Sequence, residues 1–149
     1  MSDIKRIPFI NTIEDVSSFS LRVALIIASD TKILMVKNEG KEKYKHVGRH
    51  VKLSETLCKA LKREVAEEIG EYNFELPQEP IFFDQIRVNG DLMINAYLAI
   101  KLNEGDIETM SQNSKLPSRL FTLDELNNEV TFESEIGAIK HCFAKTVDV

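Results

Sequence analysis

The fold is decided by residues 54–70, which read SETLCKALKREVAEEIG. No glycine or proline interrupts residues 55–69; Ser54 can accept a hydrogen bond from the first free amides, and Gly70 supplies a stop. At about 100° per residue the apolar side chains fall on one stripe, made of Leu57, Cys58, Leu61, Val65 and Ile69. The stretch therefore predicts an amphipathic helix over 55–69, capped by Ser54, with its apolar stripe facing a core.

Three carboxylates share another face of this predicted helix. Glu64, Glu67 and Glu68 stand at i, i+3 and i+4, so their side chains are expected to converge. Like charges at this spacing repel one another, and something should neutralise them. Mg²⁺ is the natural candidate because it takes oxygen ligands and is usually shared with substrate phosphates, and Mn²⁺ suits the same ligands.

Arg63 offers a different way to neutralise these acids. It stands four residues before Glu67 and could pair with that carboxylate. It could instead reach back to Glu55 and lock the incoming loop onto the helix. Both interpretations stay open at this point.

The rest of the chain predicts hairpins and two further helices, one of them short. Residues 21–29 and 32–36 are rich in aliphatic side chains around a turn, and the first of these strands is expected to be central. Asn89-Gly90 is a strong hairpin signal between 81–88 and 92–102. The remaining predictions are an irregular polar stretch over 103–118, a strand over 119–122, a short helix over 123–128 capped by Thr122, and a final amphipathic helix over 133–146. This pattern predicts an α/β (α+β) layer architecture, with an N-terminal arm over 1–18 and one domain over 19–149.

Composition excludes several classes of protein. The 149 residues carry a formal charge of −5, which argues against wrapping nucleic acid but does not exclude a phosphate ligand held through a metal. Two cysteines 84 positions apart do not form a disulfide framework. No stretch predicts a membrane span or a signal peptide, so a cytoplasmic protein is expected.

Residues 49–71 resemble the Nudix box, the signature of the Nudix hydrolases, written Gly-x5-Glu-x7-Arg-Glu-U-x-Glu-Glu-x-Gly-U with U apolar. The matching positions are Glu55, Arg63, Glu64, Val65, Glu67, Glu68 and Gly70. Two positions depart from the pattern, since Arg49 stands at the first glycine and Glu71 at the last apolar position. The Cβ of Arg49 could crowd the site or restrict the backbone, or its guanidinium could grip a substrate phosphate.

The resemblance implies a Nudix-like α/β/α sandwich, in which a mixed sheet is flanked by helices. It also implies an acid anhydride hydrolase that uses Mg²⁺ or Mn²⁺ to cleave the pyrophosphate linkage of a nucleoside diphosphate joined to another moiety. The alternative is a Nudix-fold nucleotide-binding or regulatory module whose catalysis Arg49 has weakened. The partner would then be a small nucleotide-derived molecule, with neither nucleic acid nor membrane, and a homodimer is an open possibility.

The resemblance assigns roles to particular residues. Glu67 and Glu68 are expected to bind the metal, together with the backbone carbonyl of Gly48, while Glu64 is either a further ligand or the carboxylate that orients the attacking water. The further candidates are Glu55 and Arg63 as supporting residues within the box, Arg49 and His50 for substrate, and Glu104 or Glu108 as a further acid.

Overall fold

A long central strand organises a mixed sheet. The computed structural model describes residues 4–5, 18–73, 75–88 and 90–147. Its strands are β1 (Ile4–Lys5), β2 (Ser18–Ala28), β3 (Ile33–Val36), β4 (Val47–His50), β5 (Phe82–Val88), β6 (Asp91–Lys101) and β7 (Ser118–Phe121). The described strands run in the order β1-β5-β6-β2-β3-β7, with β4 also paired to β2. Only the β2–β6 pairing among them is parallel. β2 pairs with β6 on one side and with β3 and β4 on the other, so it is central, as the sequence predicts.

Helices cover both faces of this sheet. They are α1 (Leu57–Glu68), α2 (Glu104–Gln112) and α3 (Glu133–Val147). Alternate residues of β2 point to opposite faces: Leu25 packs in the core beneath α1, and Ile26 packs in the core beneath α3. The architecture is therefore the predicted α/β/α sandwich. No helix in the described part of the chain is long and apolar enough to cross a bilayer.

The helix α1 begins later than predicted and has a different cap. Ser54 has a left-handed backbone with φ 71°, inside a turn closed by a hydrogen bond from the Glu55 amide to the Lys52 carbonyl. The cap is Thr56, whose hydroxyl accepts a hydrogen bond from the amide of Lys59 at 3.1 Å. The prediction of Ser54 as cap was wrong because that residue is used to turn the chain into the helix.

The prediction of an irregular stretch over 103–118 was also wrong, because this stretch contains α2. Asn103 caps this helix by accepting a hydrogen bond from Asp106 at 2.7 Å, and its buried side chains are Ile107 and Met110. So narrow an apolar stripe gives little periodicity. The predicted short helix over 123–128 is a 3₁₀ turn at Leu123–Glu125.

The two predicted hairpins and the final helix are confirmed. The turn residue Asn89 lies outside the described residues, but β5 and β6 pair around it as expected. Of the predicted N-terminal arm over 1–18, Ile4–Lys5 pairs with β5 and forms an edge of the described sheet, and Ser18 begins β2. Residues 1–3 and 6–17 lie outside the described residues.

Candidate cation and phosphate site

Gly48 brings the backbone of β4 close to the central strand. It faces Ala24 of β2 and has φ 129°, and a Cβ on it would lie 2.0 Å from the carbonyl oxygen of Val23. Its amide donates a hydrogen bond to Glu68 Oε1 at 2.9 Å, which joins the strand to the last turn of α1. Only glycine fits this position, because any side chain would collide with the backbone of Val23.

Arg49, which replaces the first glycine of the motif, does not strain the backbone. Ser54 is the only non-glycine among the described residues with positive φ, so Arg49 needs no glycine-like conformation. It pairs with Val23 in the β4–β2 ladder, and its side chain is exposed. The glycine requirement of this loop lies one residue earlier, at Gly48, and the expected restriction of the backbone at Arg49 is absent.

Arg63 clasps the loop onto the helix. Its Nε and Nη2 donate to the two carboxylate oxygens of Glu55 at 2.8 and 3.0 Å, and Nη2 also donates to the His50 carbonyl at 3.2 Å. Hydrogen bonds from this guanidinium are the largest cause that lowers the pKa of Glu55 to about 2. Nη1 donates to Glu64 Oε1 at 2.7 Å, whereas Glu67 lies 3.8 Å away. Arg63 therefore binds Glu55 and Glu64, and contacts Glu67 only at long range.

The three carboxylates of α1 do not converge as the helical spacing predicts. Glu64 is buried against Arg63, Glu68 is buried against Gly48, and the Glu67 side chain is 56% exposed. Within the described ranges, no three acidic, histidine or cysteine side chains are grouped so that they could hold a metal ion. The repulsion that the sequence predicts is relieved because Glu64 and Glu68 each contact a basic side chain of the protein, Arg63 and Lys45 respectively.

The second of these cations is Lys45, which the sequence did not indicate. Its Nζ donates to Glu68 Oε2 at 2.6 Å, to the Gly48 carbonyl at 3.2 Å and to the His46 carbonyl at 3.3 Å. Lys45 lies in a polar loop beside other lysines, 23 residues before Glu68, and nothing in its local pattern distinguishes it. The backbone pairing of Lys45 with Val36 of β3, together with the pairing of β4 with β2, brings it to the end of α1.

The oxygens around Lys45 suit a divalent cation. The Gly48 carbonyl and Glu68, both expected as metal ligands, already contact one positive charge, so the ammonium marks a position that accepts a cation. Carboxylate and carbonyl oxygens are the donors that Mg²⁺ and Mn²⁺ prefer. These residues therefore fit the metal, provided that Lys45 leaves its place.

A basic cavity opens beside this position. It has a volume of about 550 Å³ and shares Lys45 and Gly48 with the cation position. Its ionisable lining side chains are one acid, Glu42, and five bases, namely Arg22, Lys41, Lys43, Lys45 and Arg49. Phe132 adds an exposed ring with Lys43 Nζ 5.5 Å from its centroid. A phosphate in this cavity would therefore meet cationic side chains directly, in addition to any metal held at Glu68.

The remaining candidates lie apart from this arrangement. Glu104 accepts a hydrogen bond from Thr31 Oγ1 at 2.7 Å, and this bond is the largest cause that lowers its pKa. Glu108 is exposed on α2. Glu104 therefore binds the turn between β2 and β3. Among the described residues, Glu108 has no contact with the acids of α1. The His50 side chain is exposed at the end of β4.

The sequence also did not indicate a buried contact between a histidine and a carboxylate. His46 Nδ1 contacts Glu135 Oε1, and both residues are buried. Burial alone would raise the pKa of Glu135, but the charge and hydrogen bonds of His46 outweigh it and lower that pKa. From the sequence, His46 is expected to be either a surface residue or a residue whose polar atoms have hydrogen-bond partners. The second alternative is correct, because His46 is buried and contacts Glu135.

Comparisons with known proteins agree with this architecture. The chain matches no family model and no curated protein sequence. It resembles the solved structure of an Ap4A hydrolase from C. elegans, with a TM-score of 0.65 and 16% identity over 85% of this chain and 97% of that one. It also resembles a MutT protein from Methanosarcina mazei Go1, at TM-score 0.65 and 15% identity over 86% and 94% of the two chains. A third similar structure is a Nudix hydrolase from Nitrosomonas europaea, with a TM-score of 0.61 and 18% identity over 85% of this chain and 88% of that one. The chain therefore has the Nudix fold.

Proposed function

We propose that the protein is a pyrophosphohydrolase that cleaves the pyrophosphate linkage of a nucleoside diphosphate joined to another moiety, with Mg²⁺ or Mn²⁺ as cofactor. The observation that carries this proposal is the junction at Gly48. On one side of Gly48 lie the carboxylates at the end of α1, and on the other lies the basic cavity. A divalent cation held there would meet a phosphate held in the cavity.

The residues of the chain divide the work of this reaction. The Gly48 carbonyl and Glu68 would hold the cation, and the exposed side chain of Glu67 would have to turn toward them to join it. A bound cation would neutralise charge on the phosphoryl oxygens and lower the pKa of a water. Glu64 is oriented by its 2.7 Å hydrogen bond from Arg63, and it would bind the cation or accept the proton of that water.

The cavity would bind the remainder of the substrate. Arg49 and Lys43 line the cavity and would contact phosphate oxygens, and the exposed ring of Phe132 offers a surface on which a nucleobase could stack. Gly48 lines the cavity and its amide donates to Glu68, so it links the cavity to the carboxylates of α1, which would favour an oriented attack.

The test is a panel of nucleoside diphosphate derivatives, assayed with Mg²⁺, with Mn²⁺ and with EDTA. We expect hydrolysis of at least one compound in the presence of metal and none in EDTA. Glu64→Gln should lower kcat by about 100-fold or more. Glu129→Gln, an exposed acid outside the site, is the matched control and should leave kcat unchanged. Absence of hydrolysis across the panel would contradict the proposal.

One observation favours a second candidate, a Nudix-fold nucleotide-binding or regulatory module. Lys45 already supplies a positive charge to Glu68, and the four other bases of the cavity can bind an anion without metal. Calorimetry with ADP in EDTA distinguishes the two functions. Binding in EDTA without hydrolysis in Mg²⁺ would identify the module, and hydrolysis in Mg²⁺ would identify the enzyme.

A further inference from the structure

The ammonium of Lys45 is fully committed to three oxygens. An ammonium has three N–H donors, and those of Lys45 point to Glu68 Oε2, the Gly48 carbonyl and the His46 carbonyl, at 2.6 to 3.3 Å. The side chain is 12% exposed. Such a contact set, one carboxylate and two carbonyl oxygens around a single charge, is also the donor set of a bound hard cation.

The backbone of Lys45 holds this ammonium in place. Its amide donates to the Val36 carbonyl at 2.6 Å, and its carbonyl accepts from the Val36 amide at 2.9 Å. Both bonds fix the residue to the end of β3 before the chain enters β4. The position of Nζ is therefore set by the sheet, and the side chain alone can leave it.

Glu68 requires a positive partner in this position. Its side chain is 5% exposed, and Gly48 N–H supplies a single neutral donor to Oε1. A buried carboxylate without a cation is unfavourable. Either the ammonium of Lys45 or a bound metal ion can fill this need, but the two cannot share the same two oxygens, because their charges repel at contact distance.

We propose that the Lys45 ammonium and a divalent cation are alternative occupants of the position between Gly48 and Glu68. Metal binding then requires the side chain of Lys45 to swing out. It has room to do so, since Lys45 lines the basic cavity of about 550 Å³. There the released ammonium joins Lys43 and Arg49, next to the place where the phosphate would bind. The inference rests on the proposed function only in taking the cation to be Mg²⁺ or Mn²⁺.

Titration calorimetry with Mn²⁺ in the absence of nucleotide tests this competition. Lys45→Met removes the competing charge and should bind Mn²⁺ about tenfold more tightly than the wild type. Lys41→Met is the matched control because Lys41 lines the same cavity without a described contact to Gly48 or Glu68. It should change the affinity less than about twofold. Unchanged or weaker binding in Lys45→Met, or equal gains in both variants, would overturn the proposal.

A second variant and a second measurement guard against misfolding, since Lys45→Met leaves Glu68 buried without a cation. Lys45→Gln keeps an N–H donor and removes the charge. For either variant, Mn²⁺ should raise the melting temperature more than it does for the wild type, and an equal or smaller rise would contradict the competition. If no variant binds Mn²⁺, the position is not a cation site and this inference fails. If Mn²⁺ binds as predicted but no substrate is hydrolysed, only the proposed function fails.

Discussion

Gly48 and Val23 approach so closely across β4 and β2 that a Cβ on Gly48 would lie 2.0 Å from the Val23 carbonyl oxygen. No side chain can occupy that space unless the two strands separate. Separation would also pull the Gly48 amide from Glu68. This one contact therefore links the packing of the sheet to the geometry of the candidate site.

The first prediction is that Gly48→Ala destabilises the fold. Positive φ and the collision with Val23 should together lower the free energy of unfolding by about 2–3 kcal/mol or more. Urea denaturation measures this loss. Gly137→Ala is the control, because Gly137 lies in α3 with open space at its Cβ and should gain about 0.5–1 kcal/mol. Equal stability of the wild type and Gly48→Ala would show that the strands yield easily.

A second prediction concerns Arg49. Because its backbone is unstrained and its side chain lines the cavity, we expect Arg49 to contact substrate. On a substrate found in the panel, Arg49→Gly should raise KM about tenfold with little change in kcat. Arg119→Gly, in strand β7 outside the cavity, is the control and should leave KM unchanged. A large gain in turnover for Arg49→Gly would instead support the interpretation that Arg49 weakens catalysis.

The helix α1 could be predicted because its information is local. The spacing of Leu61 and Val65 fixes the buried face, and the same spacing places Glu64 and Glu68 beside it, where both are buried. The hairpins were predictable for the same reason, since each strand and its turn are contiguous in the sequence. The motif also pointed to Gly48 as a candidate site residue. Its close approach to Val23 could not be predicted, because it depends on the pairing of β4 with β2.

What the sequence did not predict depends on contacts between distant residues. Helical spacing alone predicted that the carboxylates converge. It carries no information about basic side chains from other parts of the chain, and Lys45, which binds Glu68, comes from the loop before β4. The basic cavity combines Arg22 of β2 with residues of the loop before β4 and with Phe132, so no single window shows it. A formal charge of −5 for the whole chain conceals this local excess of bases.

A third prediction follows from the contact of Arg63 with Glu55. In the wild type, the carbon chemical shifts of Glu55 should titrate with a pKa of about 2, because two hydrogen bonds from Arg63 favour the carboxylate. Arg63→Lys loses the paired geometry and should raise this pKa toward 4.5, the ordinary value. Arg119→Lys is the control, since Arg119 pairs with Glu125 and should leave Glu55 unaffected.

The same shift gives a dependence of stability on pH with a defined sign. The folded pKa of Glu55 is lowered, so its contribution is fully present above its unfolded pKa and is lost as the pH falls toward about 2. The difference in unfolding free energy between the wild type and Glu55→Gln should therefore shrink as the pH falls through this window. A difference that stays constant from pH 6 to pH 2 would contradict the assignment.

A fourth prediction concerns the buried contact between His46 and Glu135. It joins the residue just before β4 to the first turn of α3. Glu135→Gln keeps the shape of the side chain but removes the negative charge that lies against the imidazole. Because both partners are buried, the free energy of unfolding should fall by about 1–3 kcal/mol at neutral pH. Glu129→Gln, exposed just before α3, should change it by less than about 0.5 kcal/mol. Urea denaturation of both variants decides the matter: equal stabilities would mean that His46 and Glu135 contribute no net stabilisation, and that packing around Ile139 alone holds α3 against the sheet.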